Sequence, residues 1–421
     1  MAIRGIETHD DVVMSNTLFL TPWYTLLKFH DDPLGMLLRY GQSPDPVVPI
    51  RLGRWTLYLV TGPAEVGQVL SRHVQHYHKG PGMDRQNPLI GTGLLLSETP
   101  RWETSRRILK EEFLPAAVRE KQLRMRQTIG IQLDQWHDGK VNVTEQLVLL
   151  TAQVAIETLF DFPAQGDAMT AVIDASQELM MFFYRRSRSF FRPLYSMPWP
   201  MNRKYWSAAK PLTGFAERIY ARRASASAKL SALLEHLPSD ERTAQIVTLL
   251  IAGHETTANA LSWTLYLLAR HQEAQNLART DPEWLDAVIQ ESLRLYPPVW
   301  LLSRVSLEPV SLGSYRLPKD APILLSPWVN QRLERYWDQP GEFLPERWIK
   351  RAPLPPFLYF PFGAGQRSCI GETLAHQEMR ITLSLILSRW TLEPASDDEV
   401  LPLPLLSLKP KNGVWIRLAP R

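Results

Sequence analysis

The residue with the clearest chemical potential in this chain is its single cysteine, Cys369. It lies in a glycine-rich segment, 360–371, which reads Phe-Pro-Phe-Gly-Ala-Gly-Gln-Arg-Ser-Cys-Ile-Gly and directly precedes a helical pattern. Glycines let a backbone turn sharply and approach other atoms closely, and amide N–H groups at such a turn stabilise a thiolate. Arg367 adds a positive charge close by. The pattern predicts a metal-binding thiolate, and the alternative is a buried structural cysteine beside a turn.

A second group of chemically capable residues lies in the middle of a long helical pattern that runs from Asp240 to Arg270. The sequence Ala-Gly-His-Glu-Thr-Thr occupies 252–257 there. A helix interior disfavours glycine by about 1 kcal/mol, so we expect something to pass close to the backbone at this point. Glu255 and Thr256 place an acid beside an alcohol in the same turn.

Two further pairs have spacings that bring their side chains together on one helix face. Glu291 and Arg294 are three residues apart, and Trp102 and Arg106 are four apart; both separations make neighbours on a helix surface. Taken alone the Glu–Arg pair is a weak signal, because surface pairs of this kind are common and contribute little.

The elements that must position these residues are mostly helices. Helical periodicity covers 102–161, 240–270, 283–296 and a segment that follows Cys369 and ends near Trp390, and 47–60 alternates like a β-hairpin. No hinge-like linker divides the chain. We therefore predict a mainly α protein with small β-sheets, of the α+β class, folded as a single domain over residues 1–421.

The composition narrows the classes of function. The 421 residues include 45% hydrophobic residues, enough for a sizeable core, and one cysteine, which excludes an intramolecular disulfide. The formal charge of +4 comes from scattered basic residues without a nucleic-acid-binding motif, so we expect no nucleic-acid partner.

The first apolar stretch, Leu18 to Phe29, is too short to span a bilayer. It is either a packed surface helix or a shallow membrane contact.

Together these segments resemble the cytochrome P450 superfamily from about Trp102 to the C-terminus. The resemblance implies the cytochrome P450 fold, with haem b (iron protoporphyrin IX) between the long helix and the helix after Cys369. Cys369 is then the metal ligand, and a thiolate on haem iron donates electron density that favours O–O bond cleavage. The residues implied to bind the haem are Trp102, Arg106, Arg304, Phe362, Arg367, Cys369 and Gly371.

The resemblance also assigns roles beyond haem binding. Glu255 and Thr256 match the catalytic acid–alcohol pair that delivers protons to dioxygen; the alternative is a solvated glutamate and a threonine bonded to its own helix. Glu291 and Arg294 match a buried pair that is completed by the arginine of a Pro-Glu-Arg-Phe stretch. Here that arginine is Arg347, and a tryptophan stands in place of the phenylalanine. This network is expected to be structural and to support the glycine-rich segment 360–371, which we call the cysteine loop.

The implied activity is that of a monooxygenase, which inserts one oxygen atom of O2 into an apolar small-molecule substrate. The chain looks similar to a small soluble bacterial type that includes a β-carotene hydroxylase, which favours a carotenoid or terpenoid. A fatty-acid hydroxylase is one alternative, with Arg85 or the 185–192 arginine cluster pairing the carboxylate, and a non-catalytic haem-thiolate sensor is another. Predicted substrate-lining residues, which ordinary core packing would equally explain, are Ile251, Ala252, Val299, Trp300, Leu301, Leu405 and Leu406.

No reductase domain follows the cysteine segment in this sequence, so we expect electrons from a ferredoxin and a ferredoxin reductase. A basic face around the thiolate, formed by Arg106, Arg107, Lys110 and Arg380, would attract an acidic donor. We further expect a cytoplasmic monomer, with the Leu18 to Phe29 stretch as the point of any peripheral membrane contact.

Overall fold

The structure is a computed structural model, and it describes residues 22–80, 83, 86–163, 166–188, 194–222, 229–349 and 353–421. Helices account for 57% of the chain and the sheets are small, which confirms the predicted fold class. The α-helices span Pro22–Asp31, Pro33–Gly41, Pro63–Gly67, Arg101–Leu109, Pro115–Leu133, Val143–Phe160, Asp167–Arg188, Pro200–Ala221, Lys229–Leu233, Ser239–Arg270, Gln272–Thr280, Pro282–Leu295, Pro327–Asn330 and Glu372–Arg389.

The chain forms two compact units, each built from two separate segments. The first unit comprises 1–80 and 290–368, and the second comprises 81–289 and 369–421. The prediction of a single domain over 1–421 stays a prediction.

The first unit is organised around a five-stranded sheet. Its hairpin, Val47–Leu52 and Trp55–Val60, turns at Gly53, which has a φ of 59°. Pro322–Leu325 pairs in parallel with the second hairpin strand, and Leu302–Ser306 and Tyr77–Lys79 follow in antiparallel order. The predicted hairpin is present, and Tyr77–Lys79 forms the edge strand at the other side of the sheet. A separate two-stranded sheet joins Val310–Leu312 to Tyr315–Leu317.

The second unit is organised around the long helix, Ser239–Arg270, whose 32 residues extend about 48 Å. Most of its side chains are buried, and the helix Val143–Phe160 packs along it, with the Thr151 hydroxyl donating to the His254 carbonyl at 2.9 Å. The helix begins at Ser239, one residue before the predicted start at Asp240, and Pro238 occupies the cap.

Small sheets complete the second unit. One joins Gly139–Asn142, Trp415–Pro420 and Trp390–Pro394 in antiparallel order. The other, which we call the C-terminal hairpin, pairs Pro402–Pro404 with Leu408–Pro410. The helix Glu372–Arg389, which we call the cysteine helix, ends where the predicted final helix ends.

Two apolar segments bear on membrane contact. Of the predicted Leu18 to Phe29 stretch, 18–21 lie outside the described residues; the rest forms a surface helix in which Leu27 is 63% exposed and Thr25 is buried. Among the described helices, Val143–Phe160 alone has the length and apolar composition to cross a bilayer, and 67% of it is buried within the protein.

Candidate active site

The cysteine loop owes its path to glycines with left-handed backbone. Gly363 and Gly365 both have a φ of 70°, which disfavours any other residue. A Cβ at Gly365 would lie 2.0 Å from the Leu70 carbonyl oxygen, so only glycine lets the loop pack on that backbone. A 3-10 turn then spans Gly365–Arg367, and the cysteine helix begins at Glu372 with Gly371 as its cap.

The Cys369 side chain is exposed, and surrounding protein atoms desolvate its thiol. Burial raises the pKa of the thiol above its ordinary value, and the Glu372 carboxylate raises the pKa further. The Gly371 N–H and the charge of Arg106 act in the opposite direction and lower the pKa. Arg367 was predicted to be the stabilising cation; within the second unit the cation whose charge reaches the thiol is Arg106. A metal cation is the partner that would favour the thiolate at such a site.

Trp102 and Arg106 come together with Cys369 in the second unit. Trp102 is buried, and the Arg106 guanidinium lies 5.6 Å from the centre of its ring. The helix Arg101–Leu109 that carries both residues is therefore close enough to the cysteine loop for Arg106 to act electrostatically on the thiol.

The remaining predicted haem-binding residues belong to the first unit. Arg304 is a buried residue of strand Leu302–Ser306, and its Nη1 donates to the Ser303 carbonyl at 2.8 Å. A Cβ at Gly80 would lie 2.7 Å from the Arg304 backbone nitrogen, so glycine is required beside this arginine. Phe362 and Arg367 are half-buried in the cysteine loop.

The middle of the long helix has an open side. Ala252 is exposed, and Gly253 and Thr256 are half-buried, within a helix whose other residues are almost all buried. A Cβ at Gly253 would lie 3.7 Å from the Ala155 side chain, an ordinary contact, so packing among the described residues does not explain this glycine. The Thr256 hydroxyl donates to the Ala252 carbonyl at 2.7 Å, which leaves its oxygen able to accept a hydrogen bond from a group on the open side.

Glu255 is buried and belongs to a polar network with the C-terminal hairpin. Its Oε1 accepts from the Ser407 hydroxyl at 2.6 Å and from the Lys409 ammonium at 3.1 Å, and the Asn259 amide donates to Ser407 at 3.0 Å. Its Oε2 is buried with no hydrogen-bond partner among the described residues. The Lys409 side chain is 28% exposed. The solvated glutamate of the alternative is thus wrong, whereas its threonine bonded to its own helix is what Thr256 shows. The network joins the helix interior to the surface.

Under the proton-delivery role that the resemblance implies for Glu255, removing the cation of this network is expected to impair that delivery. In Lys409→Met, Glu255 loses its charged partner and its only contact with a solvent-exposed ionic group among those described, so the carboxyl should reload a proton more slowly. We expect product formed per reductant consumed to fall about tenfold, a fraction of the ~10²–10⁴ that positioned proton transfer contributes. Hydrogen peroxide release should rise as product formation falls. The variant Thr256→Ala is expected to show the same two changes.

The control is Lys411→Met, which removes an exposed lysine next to the same hairpin. Wild-type coupling in Lys409→Met, or equal losses in both variants, would contradict this route.

Glu291 and Arg294 form a buried pair in the first unit, with both side chains fully buried. The Arg294 Nη2 and Nε donate to the two carboxylate oxygens at 2.8 and 2.9 Å, and Arg347 donates to Oε1 at 2.9 Å. Trp348 adds an indole N–H to Oε2 at 2.8 Å, a hydrogen bond that phenylalanine could not make. Burial alone would raise the pKa of Glu291, but Arg294, Arg347 and the Leu344 N–H together hold it below its ordinary value.

Gln331 links this pair to the cysteine loop. Its Nε2 donates to the Leu293 and Arg294 carbonyls at 3.0 Å, and its Oε1 accepts from the Phe360 N–H at 3.1 Å. The structure therefore places the Glu291–Arg294 pair where it holds the start of the loop, through a glutamine that the sequence analysis did not single out.

The predicted substrate residues are divided between the units. In the second unit Ile251 is buried, Ala252 is exposed, and Leu405 and Leu406 are half-buried at the tip of the C-terminal hairpin. In the first unit Trp300 is buried, and Val299 and Leu301 are half-buried.

Of the arginines proposed to pair a carboxylate, Arg85 and those beyond 188 lie outside the described residues. Arg186 is buried with its guanidinium 4.4 Å from the centre of the Tyr195 ring.

These residues fit a haem. Cys369 is exposed and is the one cysteine of the sequence, so it could supply a single thiolate ligand. Gly371 leaves room beside the sulfur, since a Cβ there would still lie 3.9 Å from Sγ. The open side of the long helix, at Ala252 and Thr256, provides a second accessible face in the same unit.

Comparisons with known proteins agree with this geometry. The sequence model of the family "Cytochrome P450" matches residues 18–417. Two curated relatives are 28% identical: cyclooctatin synthase of Streptomyces melanosporofaciens, over 86% of each chain, and pentalenene oxygenase of Streptomyces avermitilis, over 89% of this chain and 90% of the relative. CYP175A1 from Thermus thermophilus is similar in structure, with a TM-score of 0.80, 29% identity, and coverage of 94% of this chain and 97% of that one.

Proposed function

The chain belongs to the cytochrome P450 family, and from this premise we propose that it hydroxylates a neutral, terpenoid-like substrate. It is an oxidoreductase of the monooxygenase class with haem b as its cofactor. What we add is the class of substrate and the roles of individual residues.

The apolar character of the predicted substrate residues carries the substrate proposal. None of the seven bears a charge that could pair with a carboxylate. Burying a neutral polar group without a hydrogen bond costs about 2–7 kcal/mol, and burying an unpaired carboxylate costs more. The names of the relatives support the same class, since pentalenene oxygenase and cyclooctat-9-en-7-ol 5-monooxygenase point to terpenoid oxidation.

We assign the following roles. Bound haem supplies the activation of dioxygen. Cys369 would ligate its iron, and the resemblance gives Trp102, Arg106 and Arg304 the role of holding its carboxylates by hydrogen bonds and charge. Thr256 would accept a hydrogen bond from a protonated group on the open side of the helix, since its own proton is donated to Ala252. Glu255 would supply protons to that side, and they would enter beside Lys409. Glu291, Arg294 and Arg347 act only through the cysteine loop that they support.

Binding titrations test the substrate class. A cyclic terpene hydrocarbon or β-carotene is expected to shift the haem spectrum from low to high spin, because an apolar ligand displaces water from an apolar site. A long-chain fatty acid should bind no better than its methyl ester.

The acid–ester pair is the internal control. If the free acid binds far better than its ester and no terpenoid shifts the spectrum, the neutral-substrate proposal is wrong. A shift with β-carotene would support the resemblance to the β-carotene hydroxylase type, which stays a prediction.

We propose a ferredoxin-type protein as electron donor, attracted by exposed cations near the cysteine loop. Arg107 and Lys110 are both exposed on the segment that carries Arg106. Arg380, included in the predicted face, is instead paired with Asp286 at 3.0 Å. Arg107→Glu/Lys110→Glu is expected to slow reduction by an acidic ferredoxin about tenfold at low salt.

The rate at which an acidic ferredoxin reduces the wild-type protein should fall as ionic strength rises, because salt screens charges beyond roughly 8 Å at physiological concentration. Arg316→Glu/Lys319→Glu makes the same change of charge at two exposed residues and should not slow reduction. A salt-independent wild-type rate would exclude charge-steered docking.

A further inference from the structure

The helix Pro200–Ala221 in the second unit has one side that faces solvent. Trp206 is 47% exposed, Lys210 and Glu217 are exposed, and Thr213 and Gly214 are half-buried. These five residues follow one another at helical spacing, so they lie on one side of the helix, and we call them the outer face. The opposite side packs inward, where the Tyr205 ring lies 4.9 Å from that of Phe182. The outer face is therefore available to a partner.

Gly214 leaves a groove in the middle of the outer face. The groove has a volume of about 420 Å³ and is lined by Trp206, Ala209, Lys210, Thr213, Gly214 and Glu217. A Cβ at Gly214 would meet no described atom closer than a guanidinium nitrogen of Arg218 at 3.8 Å, an ordinary contact. Glycine is disfavoured in a helix interior, and packing among the described residues does not require it here. Its presence indicates that another molecule approaches the helix backbone at this point.

Opposite charges stand on the two sides of this groove. Lys210 and Glu217 are seven residues apart, which is about two helical turns, whereas an ion pair along a helix needs a spacing of three or four residues. Neither side chain forms an ion pair with another described residue. A partner of a single charge sign would pair with only one of them. The outer face therefore fits a surface that offers one anion and one cation at the same separation.

The outer face of a second copy of the chain is such a surface. Lys210 and Glu217 are equally far along the helix from the peptide bond between Thr213 and Gly214. A two-fold axis at that bond would therefore set Lys210 of each copy against Glu217 of the other. The aliphatic part of each lysine would cross the groove above Gly214 of the other copy. The same axis would place Trp206 opposite Ala221, an exposed residue whose small side chain leaves room for the indole.

We propose that two copies of this chain associate through their outer faces, with the two helices antiparallel. Trp206 is the apolar anchor, because its indole N–H donates to the Tyr195 carbonyl at 3.1 Å and fixes the ring before association. Tryptophan is also among the residue types that contribute most to binding at interfaces. A contact made by one helix from each copy is small, so we expect a dissociation constant of roughly 1–100 µM. The expectation of a monomer would then hold only in dilute solution.

Sedimentation velocity of the holoprotein across this concentration range tests the proposal independently of substrate. Wild type is expected to form a dimer that salt weakens. Lys210→Glu and Glu217→Lys should each weaken dimerisation at least about 30-fold, because either change sets like charges against each other at both contacts. An equimolar mixture of these two variants should dimerise like wild type, since every glutamate then faces a lysine. The recovery is specific to a two-fold, antiparallel pairing of this helix.

Gly214→Gln tests the groove by a change that does not threaten the fold. The new side chain improves helix propensity and meets open space in the monomer, so thermal stability should not fall. The same side chain would fill the groove of each copy at the centre of the contact, so dimerisation should be lost. A Gly214→Gln protein that dimerises like wild type would contradict the proposed contact.

The matched controls are Lys319→Glu and Glu283→Lys, which make the same changes of charge at exposed residues elsewhere. Both should dimerise like wild type, and every variant should keep the wild-type haem spectrum as evidence of correct folding. Wild type that stays monomeric at the highest of these concentrations would overturn the proposal. A dimer that the outer-face variants leave unchanged, or variants that do not recover dimerisation on mixing, would overturn it as well.

Discussion

Replacing Cys369 with histidine is expected to abolish the red-shifted Soret band of the reduced, CO-bound protein while haem remains bound. The band requires thiolate ligation, and the chain has no second cysteine to substitute for the first. Histidine also ligates haem iron, so the variant separates loss of the thiolate from loss of the cofactor. The measurement is the difference spectrum of the reduced protein with and without CO.

Ser368→Ala is the control, because it changes the neighbouring side chain and leaves the thiol intact. Its spectrum should match wild type. A red-shifted band retained in Cys369→His would mean that the sulfur is not the ligand.

Glu291→Gln is expected to destabilise the protein by about 3–5 kcal/mol, the usual cost of leaving a buried ionic partner unpaired. The substitution keeps the size of the side chain but removes the charge that balances the fully buried Arg294. Because Gln331 connects this pair to Phe360, the cysteine loop should loosen and haem retention should fall with stability. Thermal unfolding and haem release are the two measurements.

The control lies on the same helix, where Glu283 is exposed, and Glu283→Gln should change stability little. Since the pKa of Glu291 is held below its ordinary value, its contribution is present above the unfolded pKa of about 4.3. It is lost as the pH falls through the folded value. The difference between wild type and Glu291→Gln should therefore shrink in acid, and a difference that grows in acid would contradict the assignment.

Features set by neighbouring residues could be predicted from the sequence. The cysteine loop is specified by glycines whose left-handed φ angles no other residue adopts easily. The long helix was located almost to the residue because its apolar periodicity is continuous. Its start lies one residue before the predicted Asp240, because Pro238 takes the cap position and Ser239 already belongs to the helix.

Features set by distant residues could not be predicted. Glu255 accepts a hydrogen bond from Ser407, which is 152 residues away in the chain, and neither local sequence predicts this contact. Trp348 replaces the phenylalanine of the family pattern, and its indole N–H donates a hydrogen bond to the buried Glu291 carboxylate, a contact that the sequence did not predict. The mid-helix glycine was expected to mark a close approach; its nearest described neighbour, Ala155, is at ordinary distance, so this expectation stays a prediction.

The sheet that closes the second unit also governs when this protein can finish folding. Its strand Trp415–Pro420 lies between Gly139–Asn142 and Trp390–Pro394, and the Val414 N–H reaches Thr144 across 270 residues. At about 5–20 residues per second, a ribosome adds the last strand roughly 15–50 s after the first. During that interval the edge of Gly139–Asn142 lacks its partner, and such an edge invites pairing with other chains. Nascent copies of this protein therefore depend on protection during synthesis more than their mainly helical fold suggests.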